Sequence, residues 1–169
     1  MTVSEALIDL VRSEFALRLD GIHGEAHWAR VCANGLRLAE LTGADAELVA
    51  LFAYLHDVKR QGDGRDHDHG RRAAGFLRGL HASLSGTELL PALSVSRLET
   101  LAYACAAHSD GLTEADPTVQ TCWDADRLDL GRIGIRPDPF HLCTAAARDP
   151  ATIEWAFLRS QAPRIFDVP

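Results

Sequence analysis

The stretch Leu48–Asp57, LVALFAYLHD, decides how the rest of this chain is read. Leu48, Leu51, Phe52 and Leu55 recur at helical spacing, and Val49, Ala50, Ala53 and Tyr54 leave no polar face, so other helices must surround this one. Asp45 caps its start, and the helix is expected from Ala46 to about Val58. Its far end delivers His56 and Asp57 into the same interior. An unpaired carboxylate there would be strongly disfavoured or would take up a proton. The negative carbonyl end of the helix adds repulsion of about 0.3–1 kcal/mol. A divalent metal ion held by imidazole and carboxylate together answers both penalties. The plainer alternative is a capping histidine with Asp57 paired to Lys59 or Arg60 at the surface, and the doublet alone leaves both open.

Working outward, nearly every periodic segment reads as helix. Thr2-x-x-Glu5 has the capping-box pattern, and Leu7, Leu10, Val11 and Phe15 carry a first amphipathic helix to about Leu19. Asp20-Gly21 ends it. A second helix runs from about Gly24 to Leu41, with His27 and Asn34 on the face of Val31 and Leu38, and Thr42-Gly43 stops it. The stretch 61–70, QGDGRDHDHG, has three glycines and four charged residues and reads as a surface loop. A fourth helix is expected over His69 to Leu80, then a short helix or turn near Thr87 to Ala92. Ser96-x-x-Glu99 should open a helix reaching His108, and Pro117 suits the first position of one running to about Leu128. Gly131, Gly134, Pro137 and Pro139 interrupt the chain before two short helices within residues 139–160. No segment sustains alternation, so the fold class is all-α, a helical bundle.

The composition sets the class of protein. With 169 residues, 47% hydrophobic and 24% charged, the chain has the makeup of one globular domain. Glu5, Asp9, Arg12, Glu14, Arg18 and Asp20 interrupt the opening residues too often for a signal peptide or membrane span, so a cytoplasmic protein is expected. The formal charge of −7 argues against an extended nucleic-acid surface but leaves room for a local basic pocket. Cys32, Cys105, Cys122 and Cys143 are widely separated and fall on apolar positions, as small buried hydrophobes do. The chain contains 8 histidines, and their placement carries most of the functional information.

His27 shares a helix face with Val31 and Asn34. Asp126, in WDADRL, follows Val119 and Cys122 at seven and four residues and also points at the core. A lone inward histidine or aspartate is more often a satisfied core polar group, but three helices each aiming a metal-type ligand inward favour a metal site. The motifs H-x-x-R-V at His27 to Val31, His56-Asp57 after an apolar helix, and DADRLD at Asp124 to Asp129 resemble the HD superfamily of metal-dependent phosphohydrolases. The resemblance covers about residues 20–135. It implies one helical domain of the HD type over residues 1–169, with His27, His56, Asp57 and Asp126 as metal ligands. Asp126 is preferred over Asp124 by the A-D-R-L match, leaving Asp124 and Asp129 to orient ligands or meet solvent.

His69 and His108 stand where similar family members hold further ligands. They are expected to ligate a second metal or to contact substrate, against a plain reading as a loop residue and a helix-end residue. One divalent ion, Mn²⁺, Fe²⁺, Mg²⁺, Ni²⁺ or Co²⁺, suits the oxygen and imidazole donors, and two if both histidines ligate. His23 and His27 lack the adjacent glutamate of H-E-x-x-H, and His67, His81 and His141 read as surface or packing residues. The implied chemistry is hydrolysis of a phosphoester or phosphoanhydride of a small phosphorylated substrate, a nucleotide first among them. Asp57 or Asp126 would accept a proton from the water or orient it, Lys59 and Arg30 would stabilise phosphate charge, and Arg71 or Arg72 would reach in from the loop; ordinary ion pairing is the alternative for Lys59 and Arg30. Ile133 to Arg136 is expected along one pocket wall. A di-iron oxygenase using the same six ligands and a non-catalytic nucleotide-binding module are the rival readings. The sequence assigns no oligomeric state.

Overall fold

The structure, a computed structural model, describes residues 3–161. It is all-α among these residues, with eight α-helices: α1 (Glu5–Glu14), α2 (Glu25–Thr42), α3 (Ala46–Leu55), α4 (His69–Leu84), α5 (Val95–Ala107), α6 (Pro117–Arg127), α7 (Ala145–Arg148) and α8 (Pro150–Gln161). Two 3₁₀ turns, Leu130–Ile133 and Pro139–His141, lie between α6 and α7. No described helix is long and apolar enough to cross a membrane.

Helix α3 lies against α1, α2, α5 and α6, and α4 packs along α5. Leu48 through Ala53 and Leu55 are all buried, as a helix without a polar face requires. Gly35 lets three helices approach at one point: a Cβ there would sit 2.4 Å from Val49 Cγ1 on α3 and 3.3 Å from the Cβ of Ala125 on α6. Trp123 of α6 donates from Nε1 to the Ala104 carbonyl of α5 at 3.0 Å. A smaller core of Leu38, Leu128, Leu142, Ala147, Ile153 and Ala156 fastens the C-terminal helices to the back of α2 and α6. The four cysteines are free; Cys105, Cys122 and Cys143 are buried and Cys32 is half-buried.

Several boundaries differ from the sequence reading. Thr2 lies outside the described residues; Ser4 caps α1, its side chain accepting from Leu7 N at 3.2 Å. Helix α1 ends at Glu14 rather than near Leu19, because Phe15 turns into extended geometry and meets the Trp28 ring edge-on at 5.0 Å. The 87–92 segment forms no helix: Gly86 takes φ +80°, and Ser85 and Leu90 form an isolated bridge. Ser94, not Ser96, caps α5 by accepting from Arg97 N at 3.3 Å. Helix α4 extends to Leu84, and α3 stops at Leu55, so His56 and Asp57 stand in the turn that follows it.

Candidate metal centre

Five helix ends meet at one point. His27 comes from the first turn of α2, His56 and Asp57 follow α3, His69 opens α4, His108 caps the end of α5, and Asp126 sits in the last turn of α6. His27, His56, Asp57, His69 and His108 are buried, and the Asp126 side chain is 18% exposed toward a pocket. His27 Nε2 lies 3.2 Å from His56 Nε2 and 3.4 Å from Asp126 Oδ1. Asp57 sits between two histidine pairs. Its Oδ2 is 3.9 Å from His27 Nε2 and 3.6 Å from His56 Nε2, while its Oδ1 is 3.2 Å from His69 Nε2 and 3.8 Å from His108 Nε2. His69 Nε2 and His108 Nε2 are 2.8 Å apart.

The other ring nitrogens decide the chemistry of these contacts. His27 Nδ1 faces Asp129 Oδ2 at 2.7 Å, His56 Nδ1 faces the Phe52 and Ala53 carbonyls at 3.1 and 3.2 Å, and His108 Nδ1 faces the Cys105 carbonyl at 2.7 Å. His69 Nδ1 faces the Asp66 carbonyl. Those oxygens can only accept, so each Nδ1 carries a proton, and the neutral form of each ring has its lone pair at Nε2. Burial, outweighing the nearby carboxylates, holds His27 and His108 down at about 4 and therefore neutral near pH 7. His69 moves upward: its Asp57 contact overcomes the opposing effect of burial. Burial pushes the Asp57 carboxyl up, but the surrounding histidines outweigh it and hold the group well below the usual range. Asp126 is depressed for the same reasons, with Arg132 contributing. Lone pairs aimed at one another beside two carboxylates form a donor set suited to divalent cations. Three groups of these donors fit an ion: His27–His56–Asp57, His56–His108–Asp126 and Asp57–His69–His108, each with donor atoms within 4.8 Å of one another.

Two neighbours keep these ligands in place. Asp129, buried and in the turn after α6, accepts from His27 Nδ1 and from Arg30 Nε and Nη2 at 2.6 and 3.0 Å. It thereby fixes the His27 tautomer. Asp129→Ala is expected to weaken Mn²⁺ binding about 10–100-fold in a calorimetric titration while the far-ultraviolet circular dichroism stays unchanged. Gly70 gives α4 its close approach to α5. A Cβ at this position would fall 2.3 Å from the Cys105 carbonyl and 3.2 Å from His108 Nδ1. Gly70→Ala must push the helices and the His69–His108 pair apart, lowering stability by about 1–3 kcal/mol in denaturant unfolding.

The remaining residues expected at the site are placed unevenly. Arg30 spends its guanidinium on Asp129, and Lys59 pairs with Glu14 at 2.5 Å over the Phe76 ring, so neither reaches the cluster. The expectation that both face the phosphate rested on helical spacing, but the chain leaves the helix at Leu55 and the turn swings Lys59 outward. Arg71 is exposed beside Asp68, and Arg72 binds Asp66 at 2.6 Å and the Lys59 carbonyl at 3.1 Å; neither lines the pocket. Asp124 neither orients a ligand nor meets solvent. Its oxygens accept from Cys143 N, Thr144 N and Thr144 Oγ1 at 2.6–2.8 Å, anchoring the C-terminal segment, and burial raises its pKa despite these bonds.

A pocket of about 390 Å³ opens over Asp57, His69, His108 and Asp126. Its wall includes His23, Arg60, Arg65, His67, Arg132 and Ile133. Arg60 does meet Asp57, at 3.4 Å, as the plainer sequence reading allowed, though it is only 13% exposed and not at the surface; the roles of Arg132 and His23 went unrecognised in the sequence. His23 is buried and paired with Asp63 at 2.9 Å; its position four residues before His27 was the available signal. Arg132 bonds the Ile22 and Asp129 carbonyls at 2.9 and 3.1 Å, and its distance of three residues from Asp129 would have pointed to it.

No protein-family model matches the sequence, and no curated protein matches it. A search of solved structures finds the crystal structure of a predicted HD superfamily hydrolase from an uncultured Thermotogales bacterium, with a TM-score of 0.67 and 23% identity over 90% of this chain and 83% of that one. The chain thus shares the all-α fold of that structure, and its own helix ends bring together a His/Asp cluster compatible with a metal site.

Proposed function

We propose that this chain is a metal-dependent phosphohydrolase acting on a phosphoester or phosphoanhydride of a small molecule, with a nucleotide as first candidate. One observation carries the reading: four imidazoles whose Nδ1 atoms are committed to oxygen acceptors turn their Nε2 atoms toward the two oxygens of Asp57. His27, His56, Asp126 and one Asp57 oxygen would hold one ion, and His69, His108 and the other oxygen a second. Such ions supply Lewis acidity, making water a better nucleophile and polarising a phosphoryl oxygen. Arg65 and Arg132, on the pocket wall, are suited to bind phosphate oxygens. Asp126, partly exposed there, can orient water or accept its proton. Ile22 and Ile133, 40% and 45% exposed at the rim, offer apolar contact to the organic part of the substrate.

The test is metal analysis of the purified chain with a panel of phosphorylated substrates in the presence of each divalent ion. Bound metal and metal-dependent phosphate release are expected. A chain that held no metal and gained no activity with any divalent ion would sink the proposal. The convergence of all six ligand-type residues also suits a di-iron oxygenase, which oxygen consumption by the iron-loaded protein would reveal.

A further inference from the structure

We propose that Arg60 is a built-in cation that occupies the outer half of the centre, making the second metal site weaker than the first and tying its filling to the 61–65 loop. The inference rests on the metal-binding reading above and concerns which half binds first. The Arg60 side chain is only 13% exposed and divides its donors between two structures. Nε donates to the Gly62 carbonyl and Nη2 to the Gly64 carbonyl, each at 3.0 Å. Nη1 reaches His69 Nε2 at 3.0 Å and Asp57 Oδ1 at 3.4 Å.

The two His69 contacts make the conflict explicit. Its Nδ1 proton is committed to the Asp66 carbonyl, so Nε2 has one lone pair, which can accept from Arg60 or ligate a metal but not both. Asp57 Oδ1, the other donor of the outer group, already faces the same guanidinium. At His27, His56 and Asp126, no described arginine or lysine donates a hydrogen bond, so the inner group is open to a cation. A second ion would have to displace Arg60 against charge repulsion in a poorly solvated site. Because the same guanidinium grips Gly62 and Gly64, its withdrawal disturbs the loop. Gln61 N also donates to Asp66 Oδ2 at 2.9 Å, and His23 pairs with Asp63 at 2.9 Å, tying the same loop.

Calorimetric titration of the full metal-free chain with Mn²⁺, alongside limited trypsin digestion, tests this. Wild type should show a tight site and a second one at least about tenfold weaker, and cleavage after Arg65 should rise severalfold only with the second equivalent. Arg60→Gln should tighten the second site at least about tenfold and leave the first within about twofold. Arg60→Lys, which keeps the charge without the fork, should keep the weak second site but lose the link to loop cleavage. Two equal sites in wild type, an unchanged or weaker second site in Arg60→Gln, or protection of Arg65 by metal would each overturn the role of Arg60. No Mn²⁺ binding by wild type would remove the metal-dependent function itself, a different outcome from two equal sites.

Discussion

Asp57→Asn is expected to lower metal-dependent phosphate release at least about a thousandfold, because it removes the carboxylate whose two oxygens face the two halves of the centre. The asparagine keeps the shape of the side chain but loses its charge and replaces one oxygen with a donor. Either the His27–His56 half or the His69–His108 half then meets an NH₂ group where it needs a ligand, and the variant should bind fewer metal ions than wild type. Plasma emission analysis gives the stoichiometry, and initial rates on the best wild-type substrate give the loss. Circular dichroism should be unchanged, since Asp57 lies beyond the last residue of α3 and asparagine has the same size. A variant that kept full metal content and near-normal rates would show that Asp57 is not the bridge between the halves.

The metal-free protein should lose several kcal/mol of stability between about pH 6.5 and pH 4, measured by thermal or denaturant unfolding in a chelator. His27 and His108 are held at about 4 in the folded state by burial, below the ordinary value of 6.5. Below pH 6.5 the unfolded chain therefore binds protons that the folded chain refuses, so stability falls as the pH drops. The size is on the order of 3 kcal/mol for each histidine by the time pH 4 is reached. The carboxylates act lower on the scale: the depressed Asp57 and Asp126 stabilise the fold above their ordinary range, and that contribution fades as the pH falls further. His69 works in the opposite sense, because its raised pKa favours the fold at lower pH, but it is one group against two. Mn²⁺ at a thousand times its dissociation constant should stabilise the fold near neutral pH by about 4 kcal/mol and raise the melting temperature accordingly. That gain should vanish toward pH 4 as protons compete for the same lone pairs. A flat stability profile would mean that the two histidines are not buried neutral.

The sequence alone determined the helical class and where the decisive ligands begin. An eight-residue apolar run with no polar face must be enclosed, and enclosure at Leu48–Leu55 forces His56 and Asp57 inward whatever the details of the packing. Periodicity likewise turned His27 and Asp126 toward the core, because a helix carries its own geometry over three and four residues. What lay beyond the helix ends was decided by tertiary structure. Lys59 and Arg60 are adjacent in a turn without helical phase, so spacing favoured Lys59, while the fold sent it to Glu14 and brought Arg60 to His69. Asp129 could equally have met solvent; packing against His27 and Arg30 made it the residue that orients the ligand. The pairing of His69 with His108 depends on α4 lying against α5 at a glycine, a contact between residues thirty-nine apart that no local pattern encodes. Local physics decides which way a helical side chain faces, whereas the partner it finds there depends on how the other helices close around it.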